Sequence, residues 1–341
     1  MAEYQDVGEI SARLAELSLP PLPAPLDAAV IDSHTHLDAT LEVSGLPVEL
    51  SLAAAAAVGV TRMVQIGCDV PSSRWAVEVA RAYPQVVACV AIHPNDAGRL
   101  SDTALDAALD EIAALAAAQP YVRGVGETGI DYYRTRELAA QERQRRSFAA
   151  HIRIAIAHDL TLAIHDRDAH ADILKVWDAT GAPNRVVMHC FSGDVAFAQE
   201  CLARGAWLSF PGVITYKANQ YLRDVLAITP RERILVETDA PYLTPVPERG
   251  KRNAPYLIPH TLRFMADELG LAEAELCALL TENAVAAYGG EWGETLPRYT
   301  AAEPAAPLRG EQGEQGGQRE QRGQGVKVAN PEGISSYGGI R

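Results

Sequence analysis

Residues 160–191, LTLAIHDRDAHADILKVWDATGAPNRVVMHCF, read as strand, helix and strand, the repeating unit of a parallel α/β fold. LTLAIH at 160 is a near-continuous apolar run rather than an alternating one, as a parallel strand covered on both faces requires. Asp168–Thr180 has the length and apolar spacing of a helix, and RVVMHCF at 185 repeats the first kind of run. Each of the two runs carries a histidine at its end, His165 and His189.

The same unit recurs along the chain. Runs of the strand type stand at AAVID 28, RMVQIG 62, VVACVAIH 86, VRGVGE 122, AWLSF 206 and RILVETD 233, which with the two above make eight. Helical spacing fills the gaps at Leu46–Val58, Ser72–Tyr83, Ser101–Gln119, Arg136–Asp159, Asp194–Arg204, Asn219–Ala227 and Pro255–Leu269. Strand and helix therefore alternate over about 250 residues, the size of an α/β fold of the (β/α)8 TIM-barrel type. No short sequence repeat accompanies the alternation, which excludes a solenoid.

The chain has 341 residues, 48% of them hydrophobic, enough for a large core and too many for disorder throughout. We divide it into an N-terminal extension (1–28), the barrel (29–291) and a tail (292–341). The extension begins with an amphipathic piece (Ile10, Leu14, Leu17) and continues in PPLPAP, a lead-in rather than a domain. In the tail, RGEQGEQGGQREQRGQG (309–325) has no apolar side chain with which to offset its ordering entropy, so disorder is expected there. Nothing approaches the ~18 to 20 apolar residues of a membrane helix, and MAEYQDVGEI is unlike a secretory signal. A cytoplasmic chain with no membrane association and no obligate protein partner is the expectation. The cysteines (Cys68, Cys89, Cys190, Cys201, Cys277) form no CxxC pair and read as reduced core residues.

Polar residues gather where a barrel keeps its chemistry. His34, His36, His93, His165 and His189 lie at or just after strand ends, Glu127 ends the fourth strand and Asp239 the eighth. A lone histidine or aspartate is usually a surface or capping residue, but seven such groups on one rim are not. DSHTH sets His34 and His36 two apart on extended chain, so both imidazoles point the same way, as a divalent metal requires. With His165, His189, Glu127 and Asp239 the donors number six, too many for one tetrahedral ion and suited to two. Many two-metal barrels bridge their ions with a carboxylated lysine on the fourth strand. The lysines here (Lys175, Lys217, Lys251, Lys327) all lie elsewhere, and Glu127 occupies that place. No GxSxG elbow or Walker loop is present, and Cys190, next to His189, points away from it on a strand.

The net charge of −14 opposes a polyanionic partner unless bound cations offset it locally. Two divalent ions outweigh two ligand carboxylates and would do so.

IDSHTHLD, AIHP, VGETGIDYY, IHDRDA, MHCFSG, LSFPGVITYK, ILVETDAPYLTPVPERGKRN and TENA, in this order from about Val30 to Tyr288, resemble the TatD family of metal-dependent deoxyribonucleases. The resemblance implies a TIM barrel, two divalent ions (zinc, manganese or magnesium) and hydrolysis of DNA phosphodiesters, with single strands or 3′ ends as substrate in a 3′ to 5′ exonuclease reaction. It implies His34, His36, Glu127 and Asp239 around one ion and Glu127, His165 and His189 around the other, with His93 beside the phosphate. Asp239 would orient the attacking water or take its proton. Arg167, Lys251 and Arg252 would add phosphate contacts, and Tyr132 or Tyr133 could stack on a base. Two positions depart from the family pattern: Ala254, where an acid is usual and contacts at the substrate mouth are expected to change, and Pro211, where a small residue is usual. A barrel hydrolase acting on another ester or amide would use the same metals. A non-catalytic scaffold would be expected to have lost ligands, which this chain has not.

Overall fold

A computed structural model describes residues 6–290 and 292. Its strands are β1 (Val30–Thr35), β2 (Val60–Ile66), β3 (Val86–Val90), β4 (Val122–Asp131), β5 (Thr161–Arg167), β6 (Val186–Met188), β7 (Trp207–Phe210) and β8 (Ile234–Val236). Its helices are α1 (Val7–Glu16), α2 (Leu37–Ser44), α3 (Val48–Ala57), α4 (Val70–Ala82), α5 (Pro94–Arg99), α6 (Asp102–Ala116), α7 (Leu138–His158), α8 (His170–Thr180), α9 (Val195–Ala203), α10 (Gln220–Ile228), α11 (Ile258–Leu269) and α12 (Glu273–Tyr288).

The eight strands form one sheet in sequence order, and every adjacent pair is parallel. The ends of the sheet meet through Asp239 N–H to His34 O (2.9 Å) and His36 N–H to Ala240 O (2.9 Å), so the fold is the (β/α)8 barrel expected. Closure is thus made by the residues that begin and end the rim.

Alternation along each strand divides the core. Val30, Val86 and Ala88 face the surrounding helices, whereas Ile31, Val87 and Cys89 face the barrel interior with Tyr288 of α12. Both faces are covered, which is why the runs looked continuously apolar; each fully buried Val, Ile or Leu contributes roughly 1.5–3 kcal/mol. Several helix starts are set by side chains that accept otherwise orphaned N–H groups: Asp69 for α4, Ser101 for α6 and Asp194 for α9.

The N-terminal extension is fastened to the barrel. Ile10 and Leu14 of α1 are buried in the outer core, Tyr256 donates to Pro20 O (2.7 Å), and Arg263 donates to Ala24 O (3.0 Å) and Pro25 O (2.8 Å). The tail expected to be disordered lies outside the described residues, apart from Trp292. Among the described residues no helix is long and apolar enough to cross a membrane.

Besides α1 of the extension, three helices exceed the eightfold alternation read from sequence. α2 and α5 are single short pieces directly after His36 and His93, too short to show an apolar period, and α12 follows α11. β4 runs four residues past Glu127, to Asp131, and β8 stops three residues before Asp239. Cys89, Cys201 and Cys277 are buried, but Cys68 and Cys190 are only partly buried and lie at the rim rather than in the core. Ala254, expected at the substrate mouth, is fully buried in the outer core.

Candidate metal centre

Glu127 stands where five imidazoles converge. Its Oε1 is 2.6 Å from His165 Nδ1, 2.8 Å from His189 Nε2 and 3.4 Å from His93 Nε2. Its Oε2 is 3.6 Å from His34 Nε2 and 3.7 Å from His36 Nε2. Asp239 Oδ1 closes the other side, 3.3 Å from His36 Nε2 and 3.7 Å from His34 Nε2. The six donors expected from sequence are therefore together, arriving from β1, β4, β5 and the segments that follow β1, β6 and β8.

Local chain geometry places them. Gly129 has φ +140°, and a Cβ there would collide with the His165 carbonyl; at Gly126 it would come 2.6 Å from Ala163 Cβ. Glycines on both sides of Glu127 therefore let β4 approach β5 closely enough for the carboxylate to meet two histidines. Asp239 has φ 52°, a left-handed conformation that aspartate tolerates better than most residues, and its N–H is held by His34 O.

The donors fit divalent cations. His34 Nε2 and His36 Nε2 approach to 3.3 Å, so two ring nitrogens face one point together with a carboxylate, an arrangement that calls for positive charge between them. The nitrogens turned away from the centre mostly have acceptors nearby: Asp131 Oδ2 3.5 Å from His165 Nε2, Glu237 Oε1 3.3 Å from His189 Nδ1 and Cys68 Sγ 3.7 Å from His36 Nδ1. A proton held on that side leaves the inward nitrogen free to ligate.

His93 differs. Its Nδ1 accepts the Asn95 N–H (3.1 Å), which leaves the proton of the neutral ring on Nε2, so it presents a donor to the centre rather than a lone pair.

The electrostatics show carboxylates that draw positive charge onto the groups around them. Burial disfavours the charge of Glu127, but His189, His93 and the hydrogen bonds from His165 and His189 hold its pKa well below the usual carboxylate value. Burial also opposes charge on His189, yet Glu127 and Glu237 outweigh it and raise the pKa well above the usual histidine value. His34 moves the other way, lowered by burial and by His189. Burial raises Asp131, but His165, Arg134 and Asn95 reverse this and bring it to about 2. Burial pushes the Cys68 thiol up to about 12.

Arg167, at the end of β5, lies with its guanidinium 3.9 Å from the Tyr133 ring centre. Lys251 and Arg252 are exposed on the loop after β8, and Lys251 pairs with Glu248 (2.5 Å). Asp131, Glu237 and Cys68 also meet this centre and are not marked out by the sequence pattern. Asp131 and Glu237 were in view, inside GETGID and ETDAP, but each sits beside a stronger candidate. Cys68 follows a strand, the one signal that it belongs to the rim.

The family model for TatD-related DNase matches residues 31–289. Over 266 residues the chain is 42% identical to a metal-dependent hydrolase, TatD, of Mycobacterium tuberculosis, covering 77% of this chain and 99% of the relative. A 3′-5′ ssDNA/RNA exonuclease TatD of Escherichia fergusonii is 35% identical over 244 residues, 68% of this chain and 89% of that protein. Among solved structures, a TatD homologue of Escherichia coli, YJJV, superposes with a TM-score of 0.70 at 25% identity, covering 76% of this chain and 97% of its own.

Proposed function

The chain belongs to the TatD-related DNase family and is a metal-dependent hydrolase, and we propose that it removes nucleotides from the 3′ ends of single-stranded DNA. The observation that carries this reading is the Glu127 carboxylate, with one oxygen toward His165 and His189 and the other toward His34 and His36. We assign His34, His36, Asp239 and Glu127 to one ion, and Glu127, His165 and His189 to the second.

Two divalent ions bound there would supply Lewis acidity, acidifying a water and offsetting charge on the phosphate. The residues do the rest. Asp239, fixed by its peptide hydrogen bond to His34, takes the proton as the water oxygen bonds to phosphorus and the P–O3′ bond breaks. His93 donates from Nε2 to a phosphate oxygen, while Asp131 and Glu237 hold the rings of His165 and His189. Arg167, Lys251 and Arg252 contact phosphates along the strand. The Escherichia fergusonii relative, described as acting on single-stranded DNA and RNA, supports the substrate class and direction.

The test is release of mononucleotides from a 5′-labelled single strand by the manganese-loaded chain, with EDTA as control. A ladder shortening from the 3′ end is expected. Hydrolysis of an ester or amide with no action on any nucleic acid would replace the nuclease reading.

A further inference from the structure

Asp131 ties the metal centre to an aromatic turn at the mouth of the barrel. Its Oδ2 faces His165 Nε2 at 3.5 Å and accepts from Asn95 Nδ2 (3.2 Å), while its Oδ1 accepts the Arg134 N–H at 2.8 Å. That last bond closes a turn with Tyr132 and Tyr133 in its middle. The two tyrosines are used differently. Tyr132 donates to Asp172 (2.5 Å), is contacted by Arg145 and hydrogen-bonds through its N–H to Arg167 O (2.9 Å). Tyr132 thus anchors the turn. Tyr133 is 39% exposed, and its ring rests against two arginines, Arg167 at 3.9 Å and Arg136 at 5.9 Å from the ring centre.

We propose that Tyr133 and Arg167 form a nucleobase subsite, on which the base next to the scissile phosphodiester stacks. The proposal rests on the nuclease reading above. Asp131 holds the turn through one oxygen and faces His165 with the other, which sets Tyr133 next to the metal centre, at the neighbouring position along a bound strand. A phenol ring preset by the Arg167 guanidinium offers a flat face to any base. Such a surface favours single strands, because a base inside a duplex has both faces already stacked. It discriminates little among the four bases.

The experiment uses the manganese-loaded full chain and two 5′-labelled ten-residue oligothymidylates, one intact and one with an abasic nucleotide next to the terminal phosphodiester. The wild type is expected to cleave the intact strand with a kcat/KM about tenfold above the abasic one, the scale of one lost base–aromatic stack. Tyr133→Ala should lower kcat/KM on the intact strand by the same factor and bring the two strands level, and Tyr133→Phe should restore the difference. Binding of the two strands with a methylphosphonate terminal linkage, read by fluorescence anisotropy, should show the same pattern in Kd. A Tyr133→Ala enzyme that still distinguishes the strands as the wild type does overturns the subsite, as does a wild type indifferent to the missing base. Were the wild type to cleave neither strand, the nuclease reading would fall, and the anisotropy arm would still decide whether Tyr133 engages a base.

Discussion

Asp131 Oδ2 stands 3.5 Å from Nε2 of His165, whose other ring nitrogen is 2.6 Å from Glu127. The imidazole lies between two carboxylates, and a proton kept toward Asp131 would leave Nδ1 free for a cation shared with Glu127. Asp131→Asn keeps the shape and removes the charge that fixes the ring. Affinity for the second ion should fall by about 10- to 100-fold, with Tm little changed. Calorimetric titration with manganese measures both sites, and unchanged affinity at each would show that Asp131 does not orient a ligand.

The bridge makes a separate prediction. Glu127→Gln leaves the side chain between the two histidine pairs without its negative charge, so bound metal should drop from two ions per chain toward one. Elemental analysis after dialysis gives the count. Two ions retained at normal affinity would remove Glu127 from the bridging position.

Ligand and chemistry separate at Asp239 and His93. Asp239→Asn should keep the barrel and much of the metal while hydrolysis falls by about 10²-fold, the scale of a lost general base. His93→Ala should retain both ions and raise KM, because its inward nitrogen carries a proton rather than a free lone pair. Metal content and cleavage measured side by side check both. Near-normal cleavage by Asp239→Asn contradicts its role, and loss of metal from His93→Ala makes His93 a ligand.

Much of this was legible in the sequence because barrel strands covered on both faces are apolar throughout and deliver their last residues to one rim. His34, His36, Glu127, His165, His189 and Asp239 could be picked out on that basis. The groups behind them could not. Asp131 and Glu237 act through other side chains, and nothing in a strand's apolar pattern says which carboxylate faces a ring nitrogen. Cys68 was misread for a related reason: an odd cysteine suggests core, and only the closed barrel brings it within 3.7 Å of His36. α2 and α5 escaped because a helix of two turns or fewer has too little length to show a period.

The two ends of the chain should behave oppositely. Deleting residues 1–28 strips away Ile10, Leu14, Leu19 and Leu26, each buried, and Tyr256 loses its acceptor at Pro20, so Tm should fall sharply. Deleting everything after Trp292 should leave Tm and metal content unchanged, because the composition there cannot join a core. Thermal melts of the two truncations test the proposed boundaries; a large loss on removing the tail contradicts them.

The two-ion proposal is that one carboxylate and four histidines, with Asp239, hold both metals and that these act together on a phosphodiester. It is tested most directly by adding manganese back to the metal-stripped chain while following mononucleotide release from a labelled single strand. Little cleavage is expected at one equivalent and full activity on binding of the second. Full activity at one equivalent, or none at saturation with both sites filled, would contradict it.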